Sequence, residues 1–218
     1  NAPEPLGSMM KDLIERRLAD PTLPMEEAFS QQLKEEKLEL PAGQFALFMN
    51  SMYAVDAYVR DYFRKAVLDA LLAEKLPVTV FGEGWEKYSC GDEHSLRREP
   101  AVPFALSFER IAKAHVLLNV SPIFNRGMHD RVPAGMANHA VVLTDENPYL
   151  RRAFTDGKEL LFYSLEKPDT LCEQAERTLT DVRLREKIAA SAYETFEREY
   201  TWKRRAEQIL AFAEEVEA

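Results

Sequence analysis

Apolar positions recur along this chain with two different periods, and the change falls at Leu76-Pro77. Before it the spacing is helical. Residues 9–19 and 25–38 read as amphipathic helices punctuated by Pro21, Pro24 and Pro41, and residues 45–75 read as one long helix. Within it Phe48, Tyr53, Val55, Tyr58, Val59, Phe63, Val67, Leu71 and Leu72 fall on one broad face, the pattern of a packing stripe. After Pro77 short apolar runs take over at 78–81, 116–120, 140–143 and 160–163, each bounded by Gly, Pro or Asp, with a weaker fifth strand near Leu96. Helical segments separate them. This alternation predicts an α/β fold, a doubly wound layer on a mostly parallel sheet. From Pro168 the chain reads as helical to its end, with Asp181 and Thr201 as N-caps. The expected division is a helical N-terminal segment over 1–76 and the α/β layer over 77–218.

Composition narrows the classes. A chain of 218 residues with 46% hydrophobic content can bury a sizeable core. Its net charge of −9 argues against a nonspecific nucleic-acid binder, which needs a basic footprint, while leaving room for a local basic cluster. Cys90 and Cys172 have neither zinc spacing nor a disulfide framework, which points to a reducing, cytoplasmic setting. No run approaches about 18 consecutive apolar residues and no signal-peptide pattern opens the chain, so neither a membrane span nor export is expected. The opening Asn1-Ala2-Pro3 lacks an initiator Met, as an excised domain would.

The chemistry concentrates between residues 115 and 145. The apolar run 115–120 ends in Ser121-Pro122, so Asn119, Ser121 and the loop after them should lie at a carboxyl edge of the sheet, where open parallel sheets hold ligands. A short helix predicted to open near His129 would turn its free N–H groups into that crevice, and His129 and Arg131 add donors suited to phosphate. Ordinary crossover chemistry with solvated charges is the competing reading. Gly82-Glu83-Gly84 follows the first strand and would let backbone approach a diphosphate, or simply form a tight turn. Trp85 is a stacking surface or a core wall. Asp92, Glu93 and His94 read as a solvated loop, and no metal is assigned.

From about Val78 to Leu210 these segments resemble the nucleotide-sugar-binding half of a two-domain (GT-B type) glycosyltransferase, most of all the CgeB-like group. The resemblance is carried by 78–85 (VTVFGEGW), 107–109 (SFE), 117–122 (LLNVSP), 127–132 (GMHDRV), 140–145 (AVVLTD), 148–150 (PYL), 157–160 (GKEL), and Thr201-Trp202 with Arg205-Ala206. It implies a Rossmann-like donor-binding domain whose only small-molecule requirement is the nucleotide-sugar substrate, with no separate cofactor. It also implies a partner Rossmann-like domain N-terminal to the one present here. The implied donor-binding residues are Gly82, Gly84, Asn119, Ser121, Gly127, His129, Asp130, Arg131 and Asp145. Such transferases stabilise the departing diphosphate mainly with helix N-termini and basic side chains. Related transferases place a Glu for the donor ribose in a Glu-Ala-Met/Leu-Ala-x-Gly setting. Here the run is Ala134-Gly-Met-Ala-Asn-His139, so Ala134 stands at the Glu position and His139 at the Gly position. Either Asp130 or Asp145 supplies the ribose contact, or the domain is a non-catalytic nucleotide-binding or protein-interaction module. Pro133 suits a first helical turn, which sets the helix start near Arg131 or Val132.

Overall fold

The computed structural model describes residues 4–167 and 169–217; Asn1-Ala2-Pro3 lies outside them, as do Ala218 and the Pro168 from which C-terminal helices are predicted. Four helices come first: α1 (Glu4–Ala19), α2 (Met25–Glu35), α3 (Ala42–Ser51) and α4 (Tyr53–Ala73). Strands and helices then alternate through β1 (Val78–Phe81), β2 (Leu96–Glu99), α5 (Phe104–Ile111), β3 (Val116–Asn119), α6 (Arg131–Ala137), β4 (Val141–Asp145), α7 (Pro148–Ala153) and β5 (Leu161–Tyr163). The chain closes with α8 (Asp169–Thr180), α9 (Val182–Glu199) and α10 (Trp202–Glu217).

All strand pairs are parallel. They form two pieces, β1 with β2 and β3-β4-β5, with Val116 opposite Val141 and Leu143 opposite Leu161. Every residue of β4 is buried, as a strand covered on both faces requires. Alternation sorts its side chains. Val141 and Leu143 join Leu13, Phe29, Val55, Phe63 and Leu171 on one face, while Val142 joins Val132, Met136, Phe162 and Ala192 on the other. Helices therefore cover both faces, and the architecture is the doubly wound, Rossmann-like α/β layer with helical segments before and after it.

Two positions explain how α6 meets the sheet. Gly135 is buried, and a Cβ there would run into the Val142 side chain and come within 2.9 Å of Leu117 Cδ2, so any larger residue requires those side chains to shift. His139 adopts a left-handed φ of 56°, a conformation in which glycine is cheapest, and its ring stacks on Tyr193 with centroids 4.2 Å apart.

The predicted long helix over 45–75 is two helices. Met52 (φ −81°, ψ 2°) ends α3 with its N–H on the Phe48 and Met49 carbonyls and is itself fully buried. That break resets the helical phase, so Val55, Val59, Phe63, Val67, Leu71 and Leu72 are buried while Tyr53 and Tyr58 are 68% and 53% exposed. The predicted caps form as expected, with Asp181 accepting from Leu184 N at 2.9 Å and Thr201 Oγ1 from Arg204 N at 3.3 Å.

Candidate functional site

The carboxyl ends of β3, β4 and β5 converge on one buried polar network. Asn119 ends β3 almost fully buried. Its Nδ2 donates to Thr144 Oγ1 at 2.9 Å, and its Oδ1 accepts from Ser121 Oγ at 3.1 Å and from Arg131 Nη1 at 2.6 Å. The Tyr163 hydroxyl at the end of β5 donates to the Asn119 carbonyl at 2.8 Å. Ser121 N–H donates to Asp145 Oδ1 at 2.8 Å. Strand register explains the convergence, since Asn119 pairs with Thr144 and Asp145 with Tyr163.

The loop from Ser121 to Asp130 is held from beneath. Asn147 Nδ2 donates to the Phe124 and Gly127 carbonyls at 2.7 and 3.1 Å, while its Oδ1 caps α7 at Leu150 N. Asn125 Nδ2 reaches the Pro21 carbonyl at 2.8 Å, tying the loop to the α1–α2 turn. Arg17, fully buried, donates Nη1 to Asp56 Oδ1 at 2.5 Å and Nη2 to the Pro122 carbonyl at 3.2 Å, fixing the loop to α1 and α4.

His129 and Arg131 stand where α6 begins. The His129 ring has Nδ1 2.5 Å from Asp130 Oδ1 and Nε2 3.3 Å from Arg131 Nη2. Burial, reinforced by the charge of Arg131, lowers the imidazole below its usual range, so the ring is neutral near pH 7. A neutral ring protonated at Nδ1 satisfies both neighbours, donating to Asp130 and accepting from the guanidinium at Nε2. Nδ1 also lies 3.1 Å from the Arg131 backbone N, a contact made only by the other tautomer, which would set Nε2–H against the guanidinium. We favour the first arrangement for that reason. Asp130 is exposed and leaves the helix start without a side-chain cap.

Asp145 is the most perturbed carboxyl of the edge. Burial pushes it up to about 7, against the opposing pull of the Ser121 N–H and the Arg131 charge. Burial likewise raises the Tyr163 phenol well above its ordinary value, keeping it a donor. An open cavity of about 310 Å³ lies over this edge, with Ser121, Asn125, Asp145, Glu146, Asn147 and Arg151 among its walls.

Asn119, Ser121, His129, Arg131 and Asp145 thus share one network, with Asp130 at its margin and Gly127 in the anchored loop. Gly82 and Gly84 belong to the other strand pair. They take φ values of 121° and 90°, and the Gly84 N–H is already held by the Glu86 carboxylate at 2.8 Å, so that turn is closed on itself. Trp85 is a core wall, packed edge-on to Tyr88 beside Leu96. In the loop of Asp92, Glu93 and His94, Asp92 holds Ser95 while Glu93 pairs with Arg98. Among the described residues, no three His, Cys, Asp or Glu side chains are grouped as metal ligands, and no helix is long and apolar enough to cross a membrane. Thr144, Tyr163 and Asn147 were not singled out from the sequence. Only Asn147 carried a local signal, an Asn before Pro148 at a helix start.

A parallel sheet covered by helices on both faces, with a buried polar network at its carboxyl edge, defines a Rossmann-like α/β class. Within it, residues 60–211 match the model of the family described as glycosyl transferase-like, and the chain belongs to that family. No curated protein matches the chain by sequence. Among solved structures, the Anabaena protein Alr3699/HepE in complex with UDP-glucose is similar, with a TM-score of 0.58 and 11% identity, over 69% of this chain and 44% of that one. Its complex with UDP and glucose gives a TM-score of 0.57 and 12% identity over the same shares. The chain therefore spans less than half the length of those proteins, and at such identity the likeness establishes the fold alone.

Proposed function

We propose that this chain is the nucleotide-sugar-binding part of a glycosyltransferase and holds the donor diphosphate at the edge formed by residues 119–131. The observation that carries the reading is the Asn119–Arg131–His129 cluster at the carboxyl edge, within a chain of the glycosyl transferase-like family. Arg131 offers a preoriented guanidinium, and neutral His129 steadies it through Nε2 without adding like charge. Support comes from the similar Anabaena fold, which was solved with UDP-glucose. Order and spacing of the matched segments favour the CgeB-like group. The acceptor and the activating base belong, in this reading, to a second Rossmann-like domain. Cysteine usage favours a cytoplasmic setting, and no cofactor beyond the sugar donor is invoked.

Calorimetric titration of the chain with UDP, UDP-glucose and other nucleoside diphosphates tests it. Arg131→Ala should lose at least ~1.5 kcal/mol of diphosphate affinity, the scale of one charge-assisted hydrogen bond. Failure of every nucleoside diphosphate to bind the parent chain would end the reading.

Ala134 favours a second reading, a nucleotide-binding module that has lost tight donor binding, because a methyl group accepts no hydrogen bond from ribose. Ala134→Glu separates the two. If the lost carboxylate is what weakens binding, the substitution tightens nucleoside diphosphate affinity by about 1.5–3 kcal/mol at most. Unchanged or weaker binding means that the pocket is built around the small residue.

A further inference from the structure

A second cavity, of about 300 Å³, opens between the loop after β3 and the N-terminal helices. It shares only Asn125 with the cavity over the carboxyl edge. Arg17, Glu26 and Asp56 in its walls precede residues 60–211, the stretch shared with the family. Its walls have spent their donors and kept their acceptors. Arg17 gives Nη1 to Asp56 Oδ1 and Nη2 to the Pro122 carbonyl, and its Nε is sealed from solvent with no partner. Arg126 is paired with Glu27, and Asn125 Nδ2 is taken by the Pro21 carbonyl. Asp56 Oδ2, the Glu26 carboxylate and Asn125 Oδ1 have no partner among the described residues. Each guanidinium already has its own carboxylate, so Glu26 leaves the cavity with an excess negative charge.

Sealing Arg17 into the fold with one N–H unbonded costs stability that a simple apolar strut would not. The arrangement secures Asp56, a carboxylate held by one oxygen at the cavity wall, with its side chain 33% exposed. The remaining wall is apolar. Met25 and Met49 come from the helices, and Ile123 and Phe124, each 38% exposed, come from the loop. A hydrated metal ion gains nothing from such surface. An alkyl stem does, thioethers adapt to its shape, and an ammonium head is attracted to a phenyl ring.

We infer that this cavity binds an organic ammonium group carried on an apolar stem, with Asp56 and Glu26 as its acceptors and Phe124 as its ring wall. The site is independent of whatever the carboxyl edge holds. A ligand of this kind supplies the donors that the walls lack and covers their apolar half, whereas an anion or a neutral alcohol meets acceptors it cannot satisfy as well.

The test is a magnetic resonance titration of the full chain at neutral pH with n-hexylamine, n-hexanol and hexanoate, which share a stem and differ in the head group. The amine is fully protonated there. Hexylammonium should shift the Met25 and Met49 methyl signals to saturation. Hexanol should bind about tenfold more weakly or worse, and hexanoate should leave both signals in place. Asp56→Asn, which keeps an acceptor for Arg17, should weaken hexylammonium binding by about tenfold. Glu26→Gln, at an exposed position, should weaken it by about two- to fivefold, and Glu166→Gln at the other cavity should change nothing. Because Asp56→Asn also removes the counter-charge of buried Arg17, Glu26→Gln and the comparison of amine with alcohol decide the matter if that variant fails to fold. Hexanol binding as tightly as hexylammonium would reduce the cavity to an apolar hole and overturn the inference. Methyl signals that do not move, or variants that bind hexylammonium like the parent, overturn it equally.

Discussion

Asp145 sits at the centre of the edge at an energetic cost. An unfolded aspartate releases its proton near pH 4, whereas burial holds the folded group at about 7. Between those values the folded chain keeps a proton that the unfolded chain has lost. The free energy of unfolding therefore falls as pH rises through that window and levels off above it. Each displaced unit is worth about 1.4 kcal/mol, so the whole window amounts to a few kcal/mol. Asp145→Asn retains an acceptor for the Ser121 N–H and cannot ionise. It should flatten the stability profile between about pH 4 and 7 and leave the variant more stable than the parent at pH 8, as measured by urea unfolding across pH. A parallel-shifted profile with the same slope would show that Asp145 titrates normally. At this scale the sequence disclosed part of the site. Asn119 and Ser121 were legible because an apolar run stops at a Ser-Pro turn, and His129 and Arg131 because cations are unusual at a helix start. Thr144 and Tyr163 were not, because each sits inside an apolar strand and gains its role only through strand register.

At the scale of elements, the edge depends on how closely α6 lies on the sheet. Gly135 faces methyl groups of Val142 and Leu117, and a Cβ there requires both side chains, the β-branched Val142 above all, to shift within the covered sheet. Gly135→Ala should therefore push α6 outward, at about 1–3 kcal/mol, even though alanine is the better helix former. Thermal unfolding should show a drop of several degrees for a chain of this size, and nucleotide affinity should fall with it because His129 and Arg131 ride on the displaced helix start. An unchanged melting temperature would mean that Val142 yields easily and that the close approach is incidental. The alternation of strand and helix was readable from residue pattern alone, and so was the start of α6 at Arg131. The break at Met52 was not, since an apolar residue at the right spacing looks the same in a continuous helix as in a buried corner. The turn at Gly82 and Gly84 reads two ways from the sequence for a related reason. Glycines mark a backbone conformation, and the conformation here serves a turn whose open N–H is filled by Glu86.

Over the whole molecule, the N-terminal helices and the sheet share one continuous core, in which Leu13, Phe29 and Val55 meet Val141, Leu143 and Tyr163. The same helices fasten the loop after β3, through Arg17 on the Pro122 carbonyl, so packing and the proposed anion site are built by one arrangement. A donor site of that kind needs only one layer, whereas sugar transfer needs an acceptor and a base positioned against it. The described strands make one parallel layer in two pieces, and the Anabaena structures with the similar fold are more than twice as long as the stretch they share with it. On the proposed reading, the 218-residue chain binds nucleoside diphosphates and turns over none of their sugars. Titration and a product assay on the same preparation, with a panel of nucleotide sugars and acceptors, separate the two properties. Binding without turnover fits a donor half whose acceptor and base lie elsewhere. Turnover above background would mean that this single layer and its helical flank contain the base as well, and would turn attention to Asp130 at the start of α6 and to Glu146 and Glu166 along the cavity.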